Sequence, residues 1–322
     1  MSHSSNEIPV QDNMQTIGFY NLENLFDLSN DPNTNDDDFL PMSSKRWTPK
    51  RYQNKLRKLG FAISNIGRQE TGKHPALVGL AEVENAKVIR DLLSSEYLEE
   101  YRYDYIHFDS LDERGIDVAL IYDTDAFKVL HTETFGVLLT DEDGAPDFTR
   151  DILRVSGLLD NEKIHLIVNH WSSRREGAEE TSPKRMASAE KVGYIISQIR
   201  DTEPKAKILV LGDYNDEPQS ESIQYIVNNC QLYNPMETLK SYKRGSVNFK
   251  RQWFLFDQIL LSTTFFKPSQ TEFEFSKAEI FDEDFLKLFN GPFKGSPFRT
   301  YVGSKYKGGY SDHFPVYAIL KK

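Results

Sequence analysis

Ala76-Leu77-Val78-Gly79-Leu80-Ala81-Glu82 is the stretch from which the architecture can be read. Its apolar residues run without a break, whereas a strand with one wet face alternates apolar and polar. The run therefore predicts a strand over residues 75–83 that is covered on both faces. Such a strand needs packing partners on two sides, and the chain supplies them. Thr48-Pro49 opens a helix, threonine as cap and proline in the first turn, and Tyr52, Leu56, Leu59, Ile63 and Ile66 follow at steps of three and four. That helix buries one stripe and turns its Lys and Arg outward. Ser182-Pro183 repeats the start, with Met186, Ala189, Val192, Ile196 and Ile199 as its stripe. Shorter helices are expected over 85–95 and 220–229.

Further strands are predicted over 16–21, 103–108, 116–122, 127–133, 152–159, 163–169, 208–211, 256–262 and 314–320, with a basic hairpin over 242–253. Short turns between successive strands predict antiparallel meanders. The chain shows no internal repeat and no Pro- or Ser-rich linker. The expectation is a polar, flexible tail over 1–15 and then one domain over 16–322, of α+β class, built from two packed sheets covered by helices.

Composition narrows the function. The hydrophobic content of 39% supports a sizeable core, and the single cysteine, Cys230, rules out a disulfide framework or a cysteine-rich zinc site. Neither a signal peptide nor a membrane-length apolar run is visible, so a cytoplasmic protein without membrane insertion is expected, and no obligate protein partner is indicated. Net charge is 39 − 49 = −10, which argues against polyanion binding by the whole surface. The charge is uneven, however. Residues 42–68 and 238–256 carry Lys and Arg with no Asp or Glu, and 31–38 is an acidic loop. Each basic stretch reads either as a solvated face or as a local anion-binding patch.

The chemistry sits at strand ends. Glu82 ends its buried strand, where a carboxylate must reach water, find a cation, or start the next helix at the favourable end of its dipole. Asn169-His170-Trp171 ends another strand, and Arg174 and Arg175 follow, a grouping suited to a phosphate oxyanion. Gly212-Asp213-Tyr214-Asn215 ends a third, with a glycine expected to turn the backbone and to point Asp213 and Asn215 to one side. Asp257 interrupts an apolar run and needs a partner such as an imidazole. Gly308-Gly309-Tyr310-Ser311-Asp312-His313 leads into the last strand. His3, His74, His107, His131 and His165 have no such company. In sum, Asn21, Glu23, Glu82, Asp213, Asn215, Asp257 and Asp312 are oxygen donors, and His170 and His313 are acid–base groups. Oxygen-rich ligands suit magnesium, manganese or calcium rather than zinc, and the reaction class that emerges is metal-assisted attack of water on a phosphoester.

Phe19-Tyr20-Asn21-Leu22-Glu23-Asn24-Leu25-Phe26-Asp27, Leu80-Ala81-Glu82-Val83-Glu84-Asn85, Arg114-Gly115-Ile116-Asp117, Asn169-His170-Trp171, Gly212-Asp213-Tyr214-Asn215, Asp257-Gln258-Ile259 and Ser311-Asp312-His313 resemble, in order, the motifs of the endonuclease/exonuclease/phosphatase superfamily. The likeness is greatest to its bacterial branch with the Phe-Tyr-Asn-Leu-Glu-Asn-Leu-Phe-Asp start. The resemblance runs from about 16 to 320 and implies a four-layer α/β/β/α sandwich (DNase I-like) with the site at one end of the sheets. It implies Glu82 as principal magnesium ligand, with Asn21 and Asp312 close to the ion; Glu23 stands where relatives often have Asp. It further implies that Asp257 orients His313, that His170 contacts phosphate and protonates the leaving oxygen, and that Asp213 and Asn215 position water and a phosphoryl oxygen. The base is His313 or Asp213. Arg114 falls near a phosphate-contacting position, with Arg174 and Arg175 as further substrate contacts. The function expected is a magnesium-dependent phosphoesterase that cleaves phosphodiesters in nucleic acid, DNA or RNA, without sequence preference. The alternatives are a phosphatase or phosphodiesterase of small molecules or lipid headgroups, and an inert binding protein on the same fold.

Overall fold

The computed structural model describes residues 8–140, 144–266, 269 and 271–322, so residues 1–7 of the expected tail lie outside the described residues. The sheet strands are β1 (Met14–Leu25), β2 (Leu77–Val83), β3 (Tyr103–His107), β4 (Asp117–Asp123), β5 (Phe127–Phe135), β6 (Ile152–Leu159), β7 (Glu162–His170), β8 (Ile208–Asp213), β9 (Leu232–Tyr233), β10 (Asp257–Ser262), β11 (Glu274–Ile280) and β12 (Val316–Lys321). They form two six-stranded sheets, ordered β11-β12-β1-β2-β4-β3 and β9-β10-β8-β7-β6-β5. Each is antiparallel except for one central parallel pair, β1 with β2 and β8 with β7. The sequence predicted meanders but not these two crossovers, because pairing between residues 60 and 43 apart leaves no local trace.

Helices α1 (Pro49–Asn65), α2 (Arg68–Thr71) and α3 (Ala86–Leu93) belong to the first sheet, and α4 (Ser182–Thr202) and α5 (Glu221–Asn229) to the second. Asn85 caps α3 by accepting from the backbone N–H groups of Lys87 and Val88. Thr48 holds the cap position of α1 without a side-chain hydrogen bond, and Thr181, not Ser182, holds that of α4. β8 shows why the central strands lack alternation. Leu209 and Leu211 point into the core between the sheets, while Ile208 and Val210 join Val192, Ile196 and Ile199 of α4 on the other face.

One correction concerns α1. Its cations were expected to face outward, yet Lys55 is buried. It lies three residues after Tyr52 and four before Leu59, on the apolar stripe itself. Among the described residues no helix is long and apolar enough to cross a membrane.

Gly212 also departs from expectation. It sits inside β8 rather than in a turn, and a Cβ there would lie 2.4 Å from the Asn169 carbonyl oxygen of β7. Glycine is required because two backbones approach, which fixes where Asp213 begins. Gly212→Ala is expected to lower stability by about 2 kcal/mol, read from the urea midpoint. Gly193→Ala in α4, where the added carbon meets nothing nearer than 3.5 Å, should instead raise stability by up to ~1 kcal/mol.

Candidate active site

Both parallel pairs end on the same edge of the sandwich, and antiparallel β10 and the segment leading into β12 enter there. Asp213 pairs in register with His170 on one side and Asp257 on the other. From the first sheet come Asn21 of β1 and Glu82 of β2. Asn21 Nδ2 donates to Asp213 Oδ2 at 3.0 Å and so joins the two sheets at this edge.

The backbone here is bent by bulges between Asn21 and Leu25 and between Ala81 and Val83. Glu23, Asn24, Glu82 and Asn215 all adopt left-handed φ, from 48° to 62°, a conformation that costs non-glycine residues energy. The bend directs Glu82 at the cluster. Its Oε2 accepts from Asn24 N–H at 2.8 Å, and its Oε1 lies 3.4 Å from Arg114 Nη2 and 3.9 Å from His170 Nε2.

The two histidines have opposite surroundings. His170 Nε2 stands 3.7 Å from Asp213 Oδ2, while its buried Nδ1 has no hydrogen-bond partner among the described residues. Burial, then Arg150 and Arg114, hold this imidazole well below its usual pKa, so it is neutral. His313 is buried too, which disfavours its charge, but Asp257 and Asp213 outweigh burial and hold it well above the usual value. Its Nδ1 lies 2.8 Å from Asp257 Oδ2, whereas its Nε2 is 3.9 Å from Asp312 Oδ1. Asp257, not the sequence neighbour, orients it. Asp213 accepts from Asn215 N–H at 2.9 Å, and burial pushes its carboxyl up to about 6.

Other expected site residues are engaged elsewhere. Glu23 accepts from the backbone N–H groups of Thr300 and Tyr301 and lies 3.4 Å from Arg299. Its carboxylate ties down the 299–301 segment. Arg174 donates to the Asn215 carbonyl and to Asp216, and lies over the Phe256 ring. The Asn215 amide donates to the Trp171 carbonyl at 3.1 Å. Arg175 is exposed, and Asp312 accepts from Arg299 at 2.8 Å. The sequence reading missed Arg150, which donates to Asp112 and to the Trp171 carbonyl behind His170. It also missed Lys55, which donates to Thr300 Oγ1 and the Tyr310 carbonyl, both at 2.6 Å. Lys55 was detectable from its position on the stripe, while nothing local marks Arg150.

The donor set fits a divalent cation. Glu82 and His170, His170 and Asp213, and Asp213 and His313 approach to 3.7–3.9 Å, too far for hydrogen bonds. Asp213, Asp257 and His313 each offer a ligand atom within 4.8 Å of the others, as do His107, Asp109 and Asp117. In the first group, however, Asp257 is committed to His313, which leaves Glu82, Asp213 and Asp312, each already accepting at least one hydrogen bond, as the remaining carboxylates of the cluster. Hard oxygen donors of this kind suit magnesium, manganese or calcium.

No curated protein matches the chain. Among solved structures, an endonuclease/exonuclease/phosphatase family protein of Bacteroides thetaiotaomicron superposes with a TM-score of 0.61 at 18% identity, covering 95% of this chain and 97% of that one. A mannosyl-6-phosphatase of the same species gives 0.58 at 17%, with 96% and 100% covered. TDP2 of D. rerio, complexed with single strand DNA product, gives 0.55 at 13%, with 97% and 100% covered. These likenesses establish the α+β sandwich. The model of the Endonuclease/Exonuclease/phosphatase family matches residues 16–322, and the chain therefore belongs to that family of phosphoester hydrolases.

Proposed function

We propose that this protein hydrolyses phosphodiester bonds of nucleic acid, DNA or RNA, with magnesium as cofactor. The observation that carries the reading is the set Glu82, His170, Asp213 and His313, drawn from both sheets and separated by gaps that no hydrogen bond closes. Glu82 and Asp312, beside Asn21, would hold the ion. A magnesium ion there supplies positive charge to phosphoryl oxygens. TDP2 with its DNA product supports a nucleic-acid substrate, and the mannosyl-6-phosphatase supports a small phosphomonoester as the second reading. The complete set of acidic and imidazole groups argues against an inert binding protein.

In this reading Asp213, held by Asn21 and the Asn215 N–H, is the base that takes a proton from water. His313 enters as an imidazolium fixed by Asp257, and so acts as a donor to a phosphoryl oxygen rather than as the base. His170 is neutral, so in place of the expected proton donor to the leaving oxygen it is a hydrogen-bond donor through Nε2. Arg114, beside Glu82, adds a second positive group.

Glu82→Ala, His170→Ala and His313→Ala should each lower kcat/KM by ~100-fold or more, measured with magnesium on plasmid DNA, an RNA oligonucleotide, a generic phosphodiester and a generic phosphomonoester. Phosphate release from the monoester alone would reject the nucleic-acid reading. Full activity of Glu82→Ala in excess chelator would reject the metal. Asp213 acts as a base only when ionised, so activity should be present above pH about 6 and fall as pH drops through that value. The pH–rate profile of Asp213→Asn should lack that limb; its persistence would remove Asp213 as base.

A further inference from the structure

Most of the cations in the two basic stretches are already engaged. In the first, Lys45 lies 3.4 Å from Asp38, Arg51 donates to backbone carbonyls, Lys55 is buried, and Lys58 lies over the Phe298 and Tyr310 rings. In the second, Lys240 pairs with Glu217, and Arg244 with Glu279 and Asp282. Lys250 and Arg251 form no ion pair among the described residues, and they belong to one structure.

That structure is the hairpin of Val247–Phe249 and Gln252–Phe254. Phe249 pairs with Gln252, so Lys250 and Arg251 alone make the turn, at φ 49° and 67°. A two-residue turn with both residues left-handed favours Asn-Gly, and Lys-Arg there is a strained choice. The strain is retained at a position that presents two cations to solvent. Phe249 beside them is 59% exposed, and Arg251 lies 5.8 Å over the ring of Phe293, itself 46% exposed. The other end of the hairpin is fixed to the active site. Val247 bridges to His313, Phe314 N–H donates to the Ser246 carbonyl at 2.8 Å, and Trp253 stacks on Phe314. At ~3.3 Å per residue, Phe249 stands about 7 Å and the turn about 10 Å along the strand from the backbone of His313.

We infer that this hairpin, with Phe293, is a binding surface for single-stranded polynucleotide, whose unpaired bases stack on the rings while Lys250 and Arg251 meet backbone phosphates. Lys250 lies 5.2 Å over the ring of Phe249 as Arg251 lies over that of Phe293, but neither cation forms an ion pair among the described residues, and exposed rings beside such cations on a chain of net charge −10 select a partner that is both anionic and flat-faced. A duplex hides its base faces in the stack, so it can use the cations but not the rings. The inference rests on the phosphodiesterase reading for its purpose but not for its test.

Fluorescence anisotropy in chelator, with a labelled mixed-sequence 20-nucleotide DNA, its RNA counterpart and the DNA duplex, measures binding without cleavage. The single strands are expected to bind at least ~10-fold tighter than the duplex, and Phe249→Ala with Phe293→Ala should remove at least ~10-fold of that affinity. Lys250→Asn with Arg251→Gly suits the turn better, so Tm should hold or rise. The slope of log affinity against log salt for single strands should nevertheless flatten by about 1.4. Turnover of a small generic phosphodiester should be unchanged in both variants. The DNA and RNA arms show which sugar is preferred. Equal affinity for strand and duplex, or substitutions without effect, would overturn the surface. Hydrolysis of the small diester without oligonucleotide binding would overturn it too and leave a phosphodiesterase. Single-strand binding without hydrolysis of any diester would support the surface and overturn the catalytic proposal.

Discussion

Glu82, Asp213 and Asp257 are buried together at one edge of the sandwich, and so much shielded negative charge would be unstable without donors to support it. The structure meets that constraint with fixed donors to each carboxylate, although Asp257 Oδ1 has no hydrogen-bond partner among the described residues. Asn21 and the Asn215 N–H hold Asp213, the Asn24 N–H and Arg114 hold Glu82, and His313 holds Asp257. Several of these donors exist only because the backbone leaves regular β geometry. Left-handed φ at Glu23, Asn24, Glu82 and Asn215 is a local cost that the packed sheets behind the site sustain. Their central strands are apolar on both faces, which makes a rigid base for a strained edge.

The same two sheets give two identical side chains different charges. His313 faces Asp257 and Asp213, whereas burial, reinforced by Arg150 and Arg114, acts on His170, so one imidazole keeps its proton and the other lacks it. Arg150 can do so because Asp112 and the Trp171 carbonyl anchor it. One site thereby contains a cationic and a neutral nitrogen donor at the same pH, a division set by neighbours rather than by residue type.

Much of this was legible in the sequence, for physical reasons. Uniformly apolar runs betrayed strands buried on both faces, and polar residues at their ends marked the active edge. That Asp257 needs a partner such as an imidazole followed from its place inside an apolar run, and the family resemblance implied that the partner is His313. What stayed hidden depends on non-local geometry. Glu23 has the residue type of a ligand, and only the fold reveals that the 299–301 backbone claims it. Arg174 has the type of a phosphate contact, but Asp216 takes it. Gly212 read as a turn because the sequence cannot show that a neighbouring strand passes within contact of its Cα. Lys55 was a different failure, since its place on the apolar stripe of α1 was visible and its charge masked the pattern.

The position of β12 bears on how the molecule is made. β1, near the start of the chain, has as neighbours β2 and the last strand, β12. During synthesis β1 therefore waits beside β2 with one edge unpaired until residues 316–321 have been translated. His313 arrives with that same final segment. The groups that would act on a phosphate come together only when the last strand docks, so a nascent chain carries an open sheet edge and an unfinished site, and both are completed in one event.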